Sequence, residues 1–220
     1  MFNLENARLH CEDILNNLVD NYNFSQVLDF LDEYTFNKWV RTQKDLPFTF
    51  FSGMTKLVIW DGESDYVLKM PFCDWDFDYC RAEVRNYKKA VEAGFAEHFA
   101  YCELLMNFSH AEKEIPVYIM EYVEMDEWEN EKAIDSYLST NCSLEDYDPD
   151  WDGEDKIIIY IENIWEKEKV DAFSAFCREN RINDLHPGNV GFQEGEPIFI
   201  DYSGFGFIER AKNDPDWWAV

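Results

Sequence analysis

Three polar side chains in the last fifth of the sequence could form a metal-dependent catalytic site. Asp184 and Asn189 lie in the segment NDLHPGN, residues 183–189, whose proline and glycine predict a fixed loop. Asp201 follows the second strand of a predicted hairpin. A carboxylate and an amide carbonyl at one end of a sheet suit Mg²⁺, which takes few protein oxygens and completes its coordination with water and phosphate. Asp184 could then accept a proton from an incoming hydroxyl group.

A lysine and a glutamate earlier in the chain form a second candidate group. Lys69 alternates with apolar residues on a predicted strand, so its ammonium either reaches solvent along its stem or meets an anion. Glu83 lies on an apolar stripe of the next predicted helix, at helical spacing from Tyr79 and Tyr87. A buried carboxylate without a partner is costly, so an ion pair between Lys69 and Glu83 is the simplest explanation. The alternative is an exposed Glu83, since acidic residues are scattered along the chain.

The elements that would position these residues follow from hydrophobic periodicity. Apolar residues at helical spacing from Leu4 to about Tyr34 predict two helices. Three antiparallel strands follow, separated by glycine-containing turns. They are predicted at Phe48–Phe51, Lys56–Trp60 and Tyr66–Met70. A helix from about Asp76 to Ala93 would carry Glu83 and end at Gly94.

The second half of the chain is predicted to be more helical. Two further strands should flank a turn at about Ser109–Pro116, the second of them covering Val117–Val123. The acidic segment Asp126–Asp155 predicts a solvated loop. Apolar spacing from Ile157 to Phe176 predicts one long amphipathic helix that ends near Asn180. The strands of the hairpin before Asp201 are predicted at Val190–Phe192 and Ile198–Ile200.

The order of these elements resembles that of the protein kinase superfamily. That superfamily has a strand lysine, a helix glutamate, a hinge, a D-x-x-x-x-N loop and a later metal-binding aspartate. The resemblance implies that Lys69 holds the α and β phosphates of ATP and that Glu83 orients it. It also implies that Asp184 is the catalytic base and that Asn189 and Asp201 hold Mg²⁺.

The same resemblance implies an adenine site and a turn that covers the phosphates. The segment around Met120 looks like the hinge, where the carbonyl of Glu121 and the amide of Val123 would bind adenine. Met120 would be the gatekeeper, and Val67 would form the roof of the pocket. Gly53 would be the one glycine of the phosphate-covering turn, where protein kinases have several.

The fold that the resemblance implies is α+β and two-lobed. Residues 1–45 would form an N-terminal helical extension, and residues 46–124 a lobe with an antiparallel sheet and one key helix. Residues 125–220 would form a short, mostly helical lobe. Because His186 stands two residues after Asp184, the loop is also similar to that of aminoglycoside and choline phosphotransferases, which keeps small-molecule acceptors open.

Two departures from the kinase pattern leave more than one function open. Ile182 and Asn183 replace the usual His-Arg before the catalytic aspartate, and only 19 residues follow Asp201, where kinases of this fold place further helices. The chain looks like an abbreviated bacterial or phage kinase-like protein. It could transfer the γ-phosphate of ATP to a protein or small-molecule hydroxyl, with the acidic segment attracting a cationic acceptor. Alternatively, it could be a pseudokinase that binds nucleotide or a partner without turnover.

Composition narrows the classes of partner. The formal net charge is −27, from 46 acidic and 19 basic residues, which argues against broad contact with nucleic acid or an anionic membrane. An acidic interaction protein that mimics nucleic acid is the third possibility. The six cysteines show no C-x-x-C spacing, which is typical of reduced thiols in a cytoplasmic protein. No apolar run reaches the length of a membrane span, and no signal peptide is expected.

Overall fold

The elements of the chain divide into two compact units. The structure, a computed structural model, describes residues 3–73, 77–125, 127–141, 153–193, 195–204 and 207–218. The first unit contains Met1–Val84 and Tyr101–Tyr122, and the second contains Arg85–Ala100 and Val123–Val220. The fold is α+β, with a five-stranded antiparallel sheet in the first unit and mainly helices in the second.

Three helices open the first unit, one more than predicted. They are α1 (Leu4–Tyr22), α2 (Ser25–Phe30) and α3 (Glu33–Val40). Asn3 caps α1 through its side chain, and Asn23 ends that helix in the left-handed conformation. Leu31, with φ 47°, ends α2, and the Asp32 side chain then accepts a hydrogen bond from the Thr35 amide at the start of α3. The predicted helical region ends at about Tyr34, so most of α3 lies beyond it.

The sheet has the strand order β1-β2-β3-β5-β4, and all neighbours are antiparallel. The strands are β1 (Thr49–Ser52), β2 (Lys56–Trp60), β3 (Tyr66–Pro71), β4 (Cys102–His110) and β5 (Lys113–Glu121). The turn predicted at Ser109–Pro116 is shorter than expected, because β5 already begins at Lys113 and includes Pro116. The proline is tolerated because the register of β5 with β3 reaches only to Tyr118, so no β3 partner needs its missing amide.

One face of the sheet is covered by the N-terminal helices. Leu57 and Ile59 of β2 and Leu68 of β3 point to this face and are almost fully buried. They belong to one continuous core with Leu18 and Trp39 of the N-terminal helices. The helical extension therefore closes the apolar side of the sheet.

The opposite face of the sheet meets the first half of α4 (Phe77–Ala93). Lys56 and Lys69 project from this face, and both contact Glu83 of the helix. The helix ends as predicted, at Gly94 with φ 82°. Its residues up to Val84 belong to the first unit, and those that follow belong to the second.

The second unit is built from helices and one hairpin. Its elements are α5 (Glu127–Asn141), α6 (Gly153–Ile164), α7 (Lys167–Asn180), β6 (Val190–Gln193), β7 (Glu196–Phe199) and α8 (Phe207–Asn213), with short 3-10 turns at Ala96–His98, Pro187–Asn189 and Pro215–Trp218. Aromatic rings fill its core: Phe173 stacks on Phe99 and on Phe199, with ring centroids 5.9 and 5.6 Å apart. Within the described ranges of both units, no helix is long and apolar enough to cross a membrane.

The prediction of a solvated loop for the acidic segment is wrong where the structure describes it. Helix α5 covers most of its first half, because Ile134 and Leu138 lie one turn apart and are both buried. The ammonium of Lys156 in α6, itself buried, lies 3.2 Å from the Asp135 carboxylate. An acidic helix face thus has a cationic partner, which a charge count does not reveal. Residues 142–152 of the segment lie outside the described part.

The single long helix predicted after this segment is also wrong. Two helices, α6 and α7, are separated at Trp165 and Glu166, where Glu166 adopts an extended conformation. The Trp165 indole donates a hydrogen bond of 2.7 Å to the Glu196 carboxylate, which fixes the break. The predicted end near Asn180 is confirmed.

The C-terminal tryptophans dock onto the second unit. Trp217 is buried, and the Arg85 guanidinium lies 3.5 Å from the centre of its ring. Trp218 contacts Phe207 edge-on, with ring centroids 6.2 Å apart. The tail is therefore part of the core of the second unit.

The cysteines of the described residues are free thiols, in line with the prediction of reduced side chains. Four of them are buried and one is half-buried, whereas Cys142 lies outside the described part. The buried ones are Cys11, Cys80, Cys102 and Cys177, and the half-buried one is Cys73.

Candidate functional site

The predicted ion pair between Lys69 and Glu83 is present. The Lys69 Nζ lies 2.8 Å from Glu83 Oε1, and the two residues are 4% and 0% exposed. Lys69 reaches the carboxylate because it is on the face of β3 that meets α4. The structure thus excludes both a snorkelling lysine and an exposed glutamate.

A second lysine, which sequence reasoning missed, binds the same carboxylate oxygen. The Lys56 Nζ also lies 2.8 Å from Glu83 Oε1, and Lys56 is 4% exposed. In the β2–β3 register Val58 is opposite Lys69, and Lys56 stands two residues before Val58 on the same face. The signal was available once the hairpin register was assumed, because strand alternation puts both lysines on one side of the sheet.

The surroundings of this ion cluster are dry. Burial raises the pKa of the Cys102 thiol well above its ordinary value, with a further contribution from the nearby Glu83 carboxylate. Burial is also the main cause of the raised pKa of Tyr118, which lies opposite Lys69 in the β3–β5 register. Charges interact more strongly in such an environment than in water, so the attraction between the two lysines and Glu83 is strong.

The predicted hinge contains the chain boundary between the two units. Met120 lies at the end of β5, opposite Val67, and its sulfur is 3.5 Å from the Lys69 Nζ. The boundary falls between Tyr122 and Val123. The predicted gatekeeper, roof residue and strand lysine therefore lie together in the first unit.

The first part of this segment is firmly held. The Glu121 amide donates to the Tyr101 carbonyl at 2.9 Å, and a Glu121 carboxylate oxygen accepts from the Tyr101 amide at 3.3 Å. Tyr122 stacks in parallel on Trp60, with ring centroids 4.2 Å apart. Glu121 is thus at a fixed position at the end of β5.

The second part of the segment packs on the hairpin of the second unit. A Cβ at Gly191 of β6 would lie 2.3 Å from Val123 Cγ1 and 3.1 Å from the Glu124 carbonyl oxygen. Only glycine allows this close approach. Val123 is thereby fixed against the hairpin that follows the Asp184 loop.

Hydrogen bonds within the loop bring Asp184 and Asn189 together. The buried Asn189 side chain donates through Nδ2 to the Asp184 carbonyl at 3.0 Å. The Asn189 amide donates to the His186 carbonyl at 2.8 Å, which closes a short 3-10 turn at Pro187–Asn189. Because Nδ2 is engaged by the backbone, the amide oxygen is the Asn189 group that can meet a cation.

Asp201 is held beside that loop by the backbone of the hairpin. The Ile200 amide donates to the Asn189 carbonyl at 3.0 Å, and Ser203 Oγ donates to Asp201 Oδ1 at 3.2 Å. Gly204, with φ 69°, follows so closely that a Cβ there would lie 1.8 Å from the Arg181 carbonyl oxygen. Two tight backbone contacts therefore fix Asp201 against the segment that carries Asp184.

Helix α4 also contributes to the support of Asp201. Asn86 is fully buried, and its Nδ2 donates to the Tyr202 carbonyl at 2.8 Å. The Arg85 guanidinium donates to the side-chain oxygens of Asn86 and Asn180, both at 2.9 Å. Sequence reasoning missed Asn86, although a buried asparagine one helical turn after Glu83 indicates a backbone partner.

His186 faces the proposed base. Its Nδ1 accepts a hydrogen bond from the Gly188 amide at 3.1 Å, so the neutral ring carries its proton on Nε2. That Nε2 lies 3.6 Å from Asp184 Oδ1. The imidazole is thus oriented toward the carboxylate without a direct hydrogen bond.

Gly53 lies in the exposed turn between β1 and β2. Its amide donates to the Lys56 carbonyl at 3.0 Å, and a Cβ at this position would meet no atom within 4 Å. The fold itself therefore does not require glycine here. Its predicted role in covering phosphates stays a prediction.

The donors of the second unit fit a hard cation that takes few protein ligands. The Asn189 amide oxygen and the Asp201 carboxylate are both oxygen donors on adjacent backbone segments, which suits Mg²⁺. No group of three or more His, Cys, Asp or Glu side chains arranged to hold a metal occurs in the parts of the chain that the structure describes. A site of two protein oxygens completed by phosphate and water needs no such group.

No protein-family model matches the sequence, and no curated protein is significantly similar to it.

Proposed function

We propose that this protein binds ATP with Mg²⁺ and is a kinase-like phosphotransferase that acts on a hydroxyl group. The observation that carries the proposal is the buried ion pair between Lys69 and Glu83, 2.8 Å apart. A buried ion pair is weak evidence for stability, because apolar residues of similar volume often serve the fold as well or better. Its retention on one face of the sheet favours a role in binding an anionic ligand.

In the first unit, the lysines would hold phosphate. Lys69 would contact the α and β phosphates while Glu83 keeps its ammonium in place. Lys56, which shares the carboxylate, adds a second cation close to the same position. Met120 and Val67, which flank Lys69, would contact the adenine ring, and the backbone of Glu121 and Val123 would read its edge.

In the second unit, oxygen donors would hold the metal and the acceptor. Asn189 and Asp201 would bind Mg²⁺, and bound Mg²⁺ would neutralise the charge of the phosphates. Asp184, linked to Asn189 through its own carbonyl, would accept the proton of the acceptor hydroxyl.

The binding half of the proposal is tested by calorimetric titration with ATP, with and without Mg²⁺. We expect saturable binding that Mg²⁺ strengthens, and we expect Asp201→Asn to remove most of the Mg²⁺ effect, about tenfold or more in affinity. Asp171→Asn is the matched control, because it removes one exposed carboxylate of the same unit. Absence of saturable ATP binding by the unaltered protein would refute the proposal.

The transfer half is tested separately by release or transfer of labelled γ-phosphate. We expect Asp184→Asn to leave ATP binding within about twofold and to lower turnover by at least about a hundredfold, the size of general base catalysis. Binding without any turnover in the unaltered protein would instead support a pseudokinase. Turnover unchanged by Asp184→Asn would show that Asp184 is not the base.

A further inference from the structure

A cavity in the second unit lies beside the Asp184 loop. The cavity has a volume of about 390 Å³, within the range of small-molecule sites. Its lining includes Asn183 and Leu185 but not Asp184. A ligand in this cavity would therefore not contact the proposed catalytic base.

The inner wall of this cavity is apolar. Cys177 of α7, Ile182 and Leu185 are buried, and Ile158 of α6 is half-buried. Burial raises the pKa of the Cys177 thiol, so that the thiol is neutral at physiological pH. A ligand with an aromatic or aliphatic part could cover this wall and bury its own apolar surface.

The rim of the cavity is basic in an otherwise acidic protein. Arg178 in the last turn of α7 and Arg181, which follows that helix, both line the cavity and are both exposed. Within the described part of the chain, neither guanidinium forms an ion pair. Arginines at a helix C-terminus interact well with the helix dipole, but the dipole does not account for the apolar cavity beside them.

The position of Arg181 is fixed by the backbone. Arg181 adopts the left-handed conformation, with φ 62°, and its carbonyl oxygen is in the close approach to Gly204. The Arg181 side chain is therefore presented from a rigid segment, which lowers the entropic cost of binding a ligand.

We propose that this cavity binds a small organic anion, with a phosphate or carboxylate group at Arg178 and Arg181 and an apolar body against Cys177 and Leu185. Guanidinium groups bind both kinds of anion through paired hydrogen bonds. The cavity is too small for a folded partner and suits a ligand of the size of an aryl phosphate. This anion site is independent of the proposed nucleotide site and would be an additional function of the protein.

The test is titration of the protein with four probes, with binding measured by calorimetry or NMR. Phenyl phosphate and benzoate carry both features, inorganic phosphate lacks the apolar body, and benzyl alcohol lacks the charge. We expect one equivalent of phenyl phosphate or benzoate to bind, at least about tenfold more tightly than inorganic phosphate or benzyl alcohol. Whether phenyl phosphate or benzoate binds more tightly shows whether the site prefers a phosphate or a carboxylate.

Three variants assign the binding to this cavity. Arg178→Gln and Arg181→Gln should each weaken binding about tenfold, and Ser174→Trp should block the cavity without changing its charge. Lys88→Gln is the matched control, because it removes an exposed cation of the same unit that does not line the cavity. Binding that survives Ser174→Trp and both arginine variants would place the anion elsewhere and overturn the proposal, as would the absence of saturable binding. ATP titration of Ser174→Trp should match the unaltered protein, so failure here is separable from failure of nucleotide binding.

Discussion

The two groups of candidate residues are held by opposite means. In the first unit, Lys56, Lys69 and Glu83 contact each other through charged side chains that are almost fully buried. In the second unit, Asp184 and Asp201 are held by hydrogen bonds that involve the backbone and by close glycine contacts. Both residues are only half-buried.

This difference indicates which kind of substitution each group tolerates. In a buried ion cluster the charged atoms form the contacts, and taking them out of water costs free energy. Removal of one partner therefore leaves a buried charge without a counter-charge. In the loop, most of the contacts that hold these residues involve backbone atoms, so a change in carboxylate chemistry leaves those contacts in place. Substitutions in the first group should therefore lower stability. Substitutions in the second group should weaken ligand binding more than they lower stability.

The largest effect is expected at Glu83. Glu83→Gln replaces the carboxylate by a neutral amide and leaves two buried ammonium groups without a counter-charge, which should lower the free energy of unfolding by about 3–5 kcal/mol. Urea denaturation followed by tryptophan fluorescence measures it. Glu92→Gln is the control, since Glu92 forms an exposed pair with Lys89 and its loss should cost about 0–1 kcal/mol. Equal losses in the two variants would contradict the account of the ion cluster.

The next largest effect is expected at Gly204. Gly204→Ala places a Cβ against the Arg181 carbonyl and strains a left-handed residue, so it should cost about 2 kcal/mol or more. Gly62→Ala is a close control, because Gly62 also has a positive φ, 84°, but has open space around it. That variant should lose about 1 kcal/mol, since only the strain remains. A Gly204 variant as stable as the Gly62 variant would show that the close approach does not fix the loop.

A smaller effect on stability is expected at Asn189, with a larger one on ligand binding. Asn189→Ala removes the hydrogen bond to the Asp184 carbonyl and should cost about 1 kcal/mol. It should also reduce the strengthening of ATP binding by Mg²⁺. Asn213→Ala removes a similar side-chain bond, to the Glu209 carbonyl, at an exposed position of the same unit and should affect neither. A Mg²⁺ effect that is unchanged in Asn189→Ala would remove Asn189 from the metal site.

The pH dependence of stability should report on a buried histidine in the core of the second unit. Burial lowers the pKa of His98, with a further lowering by Lys169, while Glu97 and Glu196 raise it less. His98 is thus neutral in the folded protein at pH values where it is already charged in the unfolded chain. Stability is lost as the pH falls below about 6.5, by at most about 1.4 kcal/mol per pH unit.

Comparison with His98→Gln isolates this contribution from that of the many carboxylates. Thermal unfolding of both proteins between pH 7.5 and 5 should show a difference that shrinks on acidification, because only the unaltered protein carries the histidine penalty. Parallel curves would show that the histidine is not held neutral.

The sheet and the Lys69–Glu83 pair could be predicted because they follow from local patterns. Strand alternation set the face of Lys69, and helical spacing set the stripe of Glu83. Lys56 could not be found without the register of the β2–β3 hairpin, which a single strand does not specify. The third N-terminal helix was missed because most of it lies after Tyr34, where the predicted helical region ends.

The helical bundle of the second unit was predicted less well than the sheet, because burial there depends on partners far along the chain. The sequence from Glu127 to Asn141 is typical of a solvated segment. Only the structure shows that Ile134 and Leu138 are buried and that Lys156 pairs with Asp135. The break between α6 and α7 depends on Trp165 reaching a glutamate 31 residues away. Asn86 likewise became visible only through its bond to the Tyr202 carbonyl.

The central proposal is that a nucleotide with bound metal lies beside Lys69, and the methyl group of Met120 can report on it. The Met120 sulfur lies 3.5 Å from the Lys69 ammonium, whereas Met70 is buried in the core on the other side of the sheet. With methyl-labelled methionine and Mn²⁺ in place of Mg²⁺, ATP should broaden the Met120 signal strongly and the Met70 signal less. In Asp201→Asn the same broadening should need about tenfold more Mn²⁺ and ATP. A protein saturated with Mn²⁺ and ATP whose Met120 signal stays sharp would contradict the claim.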